Sequence, residues 1–194
     1  MRGYFGIGIE GVSKEMNIGN LFRTAHAFGA SFAFTVAANY RRQIGARSDT
    51  SDSLKNMPFY AFPDANTMLL PDKCQLVGIE LLDGAVDLPS FTHPSQAAYV
   101  LGPERGELSP EMQARCDFMI KIPAKFCINV GVAGAVVMYD RIRSLGRFAP
   151  RPVRPGGPIE ELPAHKHGGP KHRKEAEAYL APPPRLVPDD VIKK

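Results

Sequence analysis

Apolar residues recur along the chain in two alternating rhythms. Short β-rich runs at residues 4–9, 32–37, 75–81, 97–101 and 118–122 have the length and composition of strands, with helical patterns between most of them. This alternation predicts an α/β fold with a largely parallel sheet. The pattern predicts a helix over residues 18–28, with Asn17 as its cap and Gly29 as its stop. Leu21, Phe22, Ala25 and Phe28 make its apolar face, and Asn20 and Arg23 share another. A longer helix is predicted after Pro123, over residues 129–145, with Val130, Val136, Val137, Tyr139, Ile142 and Leu145 facing the core. Cys127, Gly131, Gly134 and Ala135 lie along one side of it, a spacing that lets another backbone approach. Tight packing, in a core or a dimer seam, is favoured there over a ligand role.

Beyond Gly146 the rhythm stops. The 194-residue chain holds 24 Lys+Arg and 20 Asp+Glu, and residues 1–146 contain 14 of each. The whole surplus therefore lies in residues 147–194, together with 10 of the 18 prolines and three of the five histidines. We read a neutral globular domain, residues 1–146, followed by a basic, proline-rich tail, residues 147–194, largely extended or disordered. Only residues 171–180 suit a short helix there. Cys74, Cys116 and Cys127 are odd in number and too far apart for a Cys-x-x-Cys pair, which argues against a disulfide scaffold or a zinc site. With no signal-like start and no apolar run long enough to cross a bilayer, a soluble, cytoplasmic protein is expected.

Residues 6–11, GIGIEG, match the dinucleotide fingerprint Gly-x-Gly-x-x-Gly. The context is wrong: Ser13 to Met16 separates it from the helix, and no acidic residue near the end of the next strand is placed to hold a ribose. A plain strand and turn is the better reading.

Three segments taken together carry more. NIGNLFRTAHAFGA (17–30) offers Arg23 on a helix with Asn17 and Asn20 beside it; LGPERGELS (101–109) runs from a strand into a glycine-bounded loop with Glu104 at its tip; IPAKFCINVGVAGAVVMYD (122–140) follows a strand end. Ligands of open α/β sheets bind at such carboxyl ends, which predicts a cleft between the second and third segments. Alone, each element has an ordinary explanation, as a solvated arginine, an exposed turn glutamate or a cap.

In combination and order, the segments resemble the three signature motifs of the SpoU/TrmH family, in the SPOUT class of RNA 2′-O-ribose methyltransferases. The resemblance spans residues 7–145. It implies a SPOUT-type open, mostly parallel sheet whose C-terminal part is tied in a deep trefoil knot, and a homodimer. It also implies S-adenosylmethionine as cofactor, contacted around Ile79 and Glu80, at Gly102, and at Ile122, Cys127 and Ile128. Asn17, Arg23, Glu104 and Asn129 match its catalytic positions. Arg23 is either the general base or, since a guanidinium stays protonated, a phosphate anchor that polarises the hydroxyl. Relatives commonly carry serine where this chain has Cys127, and a buried structural thiol is expected there.

RNA is the implied partner, tRNA ahead of rRNA. In the tail, HKHGGPKHRK (165–174) supplies Lys166, Lys171, Arg173 and Lys174 as RNA contacts, while Arg41, Arg42 and Arg47 are further basic candidates. The competing reading is a SPOUT-fold RNA-binding or assembly factor without turnover.

Overall fold

From the first strand onward, alternate side chains part to two faces. The computed structural model describes residues 3–38, 57–103, 105–158 and 162. In β1 (Tyr4–Glu10), Phe5, Ile7 and Ile9 enter one core, while Gly6 and Gly8 turn to the other face under the rings of Phe32 and Phe34. The other strands are β2 (Phe32–Val36), β3 (Phe59–Phe62), β4 (Gln75–Ile79), β5 (Val86–Asp87), β6 (Gln96–Leu101) and β7 (Phe118–Lys121). They form one sheet in the order β3-β2-β1-β6-β4-β7-β5, and each pairing is parallel.

Helices cover both faces, as a parallel sheet requires. On one side α1 (Glu15–Ala27) and α3 (Val130–Leu145) pack over Phe5, Ile7, Ile9, Val77, Tyr99 and Ile120. On the other, α2 (Pro110–Arg115) closes a second cluster of Phe32, Phe34, Leu76, Ala98, Val100 and Met112. β3, β5 and α2 were not expected from the sequence, because none is long enough to show a period. α2 depends on its cap, where Ser109 Oγ accepts from the Met112 amide at 3.1 Å.

Two expectations are corrected. Helix α1 starts at Glu15, so Asn17 lies within its first turn and does not cap it; the capping position is Lys14, which makes no side-chain cap bond. Gly29 does end the helix: at φ +75° it lets the Ala30 amide reach the Ala25 carbonyl at 2.9 Å. In α3 the buried face runs through Val130, Ala133, Gly134, Val137, Met138 and Arg141, whereas Val136 and Tyr139 are exposed and Ile142 and Leu145 half-buried. The expected stripe was rotated because a buried arginine reads as a polar position.

Gly134 sits directly under the Leu21 side chain, and Gly131 faces Asn20. The small residues thus let α1 and α3 approach closely, which is the packing role expected of them.

The chain divides into two compact units, Met1–Phe148 and Ala149–Lys194. In the second, residues 149–158 contain neither helix nor strand. The short helix expected at 171–180 lies outside the described residues.

Candidate functional site

The carboxyl ends of β4, β6 and β7 open into a cleft of about 430 Å³, within the ~300–1,000 Å³ usual for small-molecule sites. Ile79 and Glu80 come from the end of β4, Leu101, Gly102, Pro103 and Gly106 from β6 and its loop, and Ile122, Ala124 and Phe126 to Val130 from the segment joining β7 to α3. Asn17 and Lys14 close it from the start of α1. All six positions expected to contact a cofactor, Ile79, Glu80, Gly102, Ile122, Cys127 and Ile128, line this one cleft.

Asn129 joins two of the three motif segments. Its Oδ1 accepts from the Gly131 amide at 2.9 Å, capping α3, and its Nδ2 donates to Asn17 Oδ1 at 3.0 Å. The two amides meet across 112 residues of sequence because Gly131 and Gly134 bring α1 against α3. Asn17 is buried.

Arg23 stands apart from this pair. Six residues beyond Asn17, or about 9 Å along the helix, it is exposed and does not line the cleft. Cys127 is also exposed, not buried as expected: it precedes α3 on an open segment with Phe126, which is 77% exposed. Glu104, Arg41, Arg42, Arg47, Lys166, Lys171, Arg173 and Lys174 lie outside the described residues.

Several site features were missed from sequence. Lys14 lines the cleft along with Glu80, and exposed Arg105, Glu107 and Lys125 adjoin its lining residues. Phe126 adds an open aromatic ring. Lys-Glu-Met ahead of Asn17 and Pro-Ala-Lys-Phe ahead of Cys127 hold ordinary surface residues, and only their convergence marks them.

GIGIEG does not form a phosphate loop. Its first two glycines lie within β1 beneath Phe32 and Phe34, so ring packing accounts for them. Among the described residues no group of three or more His, Cys, Asp or Glu is placed to hold a metal ion, and no helix is long and apolar enough to cross a membrane.

Beyond the amino ends of β1 and β6 lies a second polar cluster that sequence reading did not find. Arg141, fully buried, donates to the carbonyls of Pro94 (2.5 Å), Ser95 (2.9 Å) and Tyr4 (3.2 Å) and to the Tyr99 hydroxyl (3.1 Å). His93 bridges Tyr99 (2.7 Å) and Asp140 (3.0 Å). Burial pushes Tyr99 up to about 12 against the pull of Arg141, and pushes His93 down against the pull of Asp140. The cluster ties α3 to the start of the sheet, away from the cleft.

The sequence pattern of the SpoU rRNA Methylase family matches residues 5–139. A 23S rRNA (guanosine-2′-O-)-methyltransferase, RlmB of Nitrosomonas europaea, is 26% identical over 146 residues, covering 70% of this chain and 54% of the relative. A tRNA (guanosine(18)-2′-O)-methyltransferase of Escherichia coli K12 is 26% identical over 140 residues, covering 70% of this chain and 61% of that protein. The chain thus spans somewhat over half the length of the curated relatives it matches. The fold is shared with an AdoMet-bound rRNA methyltransferase from Sinorhizobium meliloti, at a TM-score of 0.64 and 22% identity over 75% of this chain and 58% of that one.

Proposed function

Since the chain belongs to the SpoU rRNA Methylase family, we propose that it is an S-adenosylmethionine-dependent methyltransferase acting on a ribose 2′-hydroxyl of structured RNA, with tRNA favoured over rRNA. The observation that carries the reading is the convergence of the three motif segments on one cleft, with Asn17 bonded to Asn129 at its edge.

The cleft suits this cofactor. Ile79, Leu101, Ile122 and Ile128 form an apolar lining for an adenine ring, and Gly102 keeps the wall thin at the end of β6. Both rRNA and tRNA enzymes are among the relatives. Bound S-adenosylmethionine supplies a methyl group already activated on sulfonium sulfur. The chain's own task is to hold a poor nucleophile in line and help remove its proton. Asn17 and Asn129 fix each other's amides and so present an oriented polar edge. Arg23 grips a substrate phosphate, and Glu104 holds the arginine or Asn17 in place. Lys14, Arg105 and Lys125 add positive charge at the mouth, and the basic tail supplies further phosphate contacts. The tRNA preference rests on that tail.

The reading includes the family's deep trefoil knot, supported by the insertion of β7 between β4 and β5. It also includes a homodimer, supported by Val132, Val136 and Tyr139 exposed on one face of α3.

Labelled S-adenosylmethionine incubated with bulk tRNA and, separately, rRNA should yield acid-precipitable label, more with tRNA. Arg23→Ala should abolish the label while cofactor binding persists; full activity in that variant would sink the mechanism. Cofactor and RNA binding without any transfer in the wild type would instead identify an RNA-binding factor.

A further inference from the structure

Glu10 has a place in the site although it does not line the cleft. Strands β1, β6 and β4 are neighbours, with Ile9, Leu101 and Ile79 on one rung. One residue further stand Glu10, the last residue of β1, and Gly102 and Glu80, the first beyond β6 and β4, and the pleat turns them to the α2 face, with Leu76, Ala98 and Val100. The chain leaves the sheet at Gly102 and returns at Leu108 and Ser109, where both carboxylates receive it. The Leu108 amide donates to Glu80 Oε2 at 3.1 Å. Ser109 donates to Glu10 twice, from its amide at 2.8 Å and from Oγ at 2.6 Å.

Glu10 is 6% exposed, so these charge-assisted bonds are shielded from water. The other oxygen of Glu80 accepts from the Leu81 amide at 3.0 Å, which holds the carboxylate to the main chain. Gly102 is part of the fit: a Cβ there would stand 2.5 Å from Glu80 Oε2 and 3.2 Å from the Leu108 amide nitrogen. The loop closed in this way holds Pro103 and Gly106 in the cleft wall.

We propose that Glu10 and Glu80 form a two-point carboxylate clamp that shuts the base of loop 102–109 and thereby shapes the cofactor cleft. Glu10 is a positioning residue that acts through the loop, whereas Glu80 both holds the loop and lines the cleft itself. The inference rests on the cofactor reading above and adds to it the device that sets the cleft wall.

The test uses the full chain, S-adenosylmethionine titrated by calorimetry, melting temperature, and hydrogen exchange at the Leu108 amide. Glutamine has one acceptor oxygen, so Glu80→Gln forfeits one of its two amide bonds; Ser109→Ala removes a donor to Glu10 together with the cap of α2, a loss that the melting temperature reads separately. Each should weaken cofactor binding about ten-fold. Ser109→Thr, which keeps the hydroxyl, should restore it, and RNA affinity should not change. The double variant should fall short of the about hundred-fold product, because a loop released at one point has little left to lose at the other. The Leu108 amide should lose protection in Glu80→Gln. Wild-type cofactor affinity in folded Glu80→Gln and Ser109→Ala would overturn the clamp. If Glu80→Gln does not fold, Glu10→Gln decides: it gives up one of the two bonds from Ser109 and leaves the Ser109 cap of α2 in place, and wild-type cofactor affinity in it would overturn the clamp. A wild type that binds no S-adenosylmethionine would overturn the cofactor reading and this inference with it, a failure visible before any variant is made.

Discussion

Asn129 Nδ2 donates to Asn17 Oδ1 at 3.0 Å, so one side chain both caps α3 and holds a residue in the first turn of α1. These two jobs separate by substitution. Asn129→Ser keeps a capping oxygen and loses the reach to Asn17; we expect stability within ~0.5 kcal/mol of wild type and a methyl-transfer rate lower by about 10²-fold. Asn129→Ala should in addition lose ~1 kcal/mol of stability. Chemical denaturation and the labelled-RNA assay, run on both variants, check the two effects separately.

Gly134→Ala should destabilise the domain by about 1–3 kcal/mol. The added methyl meets the Leu21 side chain, which is fully buried and has little room to move. A smaller partner, Leu21→Val, should recover part of the loss in the double variant, read from urea midpoints. Additive losses would mean that the clash is elsewhere.

Arg141 offers a sharper stability test. Arg141→Met leaves the carbonyls of Tyr4, Pro94 and Ser95 without this donor, and we expect a cost of ~3–5 kcal/mol. Arg141→Lys should not rescue it, because a single ammonium cannot span carbonyls that the guanidinium fork reaches together. Thermal melts of the two variants check this.

Acidification should weaken the fold through His93. Burial places its folded pKa below the ordinary 6.5, so between the two values the unfolded chain binds more protons than the native one. The contribution is fully present above about pH 6.5 and is lost as pH falls through the folded value. His93→Gln, which cannot take up the proton, should flatten the dependence of melting temperature on pH between about 7.5 and 5.5.

The salt dependence of RNA binding tests the tail. Removing residues 150–194 should flatten the slope by ~0.7–0.9 log units for each phosphate that the tail neutralises. Unchanged slopes would assign the RNA grip to Lys14, Arg105 and Lys125 at the mouth of the cleft.

Much of the architecture was legible in the pattern of the chain. β1, β2, β4, β6 and β7 were found within two residues of their ends, because apolar β-rich runs of this length have few other uses. Gly29 and Asn129 marked helix ends by chemistry that acts within one turn. The face of α3 was not legible, since Arg141 occupies a core position and a reading based on hydrophobicity assigns charge to solvent. Glu10 was equally hidden: beside two glycines it looked like part of a turn, and its partner Ser109 is 99 residues away.

By itself, the sequence determined the order of five of the strands and of the two long helices, the parallel α/β class, the charge-rich tail and the three segments that resemble the motifs of a methyltransferase family. All of these depend on local periodicity or on motif chemistry, which a linear reading preserves. Tertiary structure alone decided that Asn17 bonds to Asn129, that Arg23 stands off the cleft, that Cys127 is open, and that two carboxylates close loop 102–109. Those facts come from strand adjacency and from the distance of closest approach between α1 and α3, which depend on how the whole chain packs.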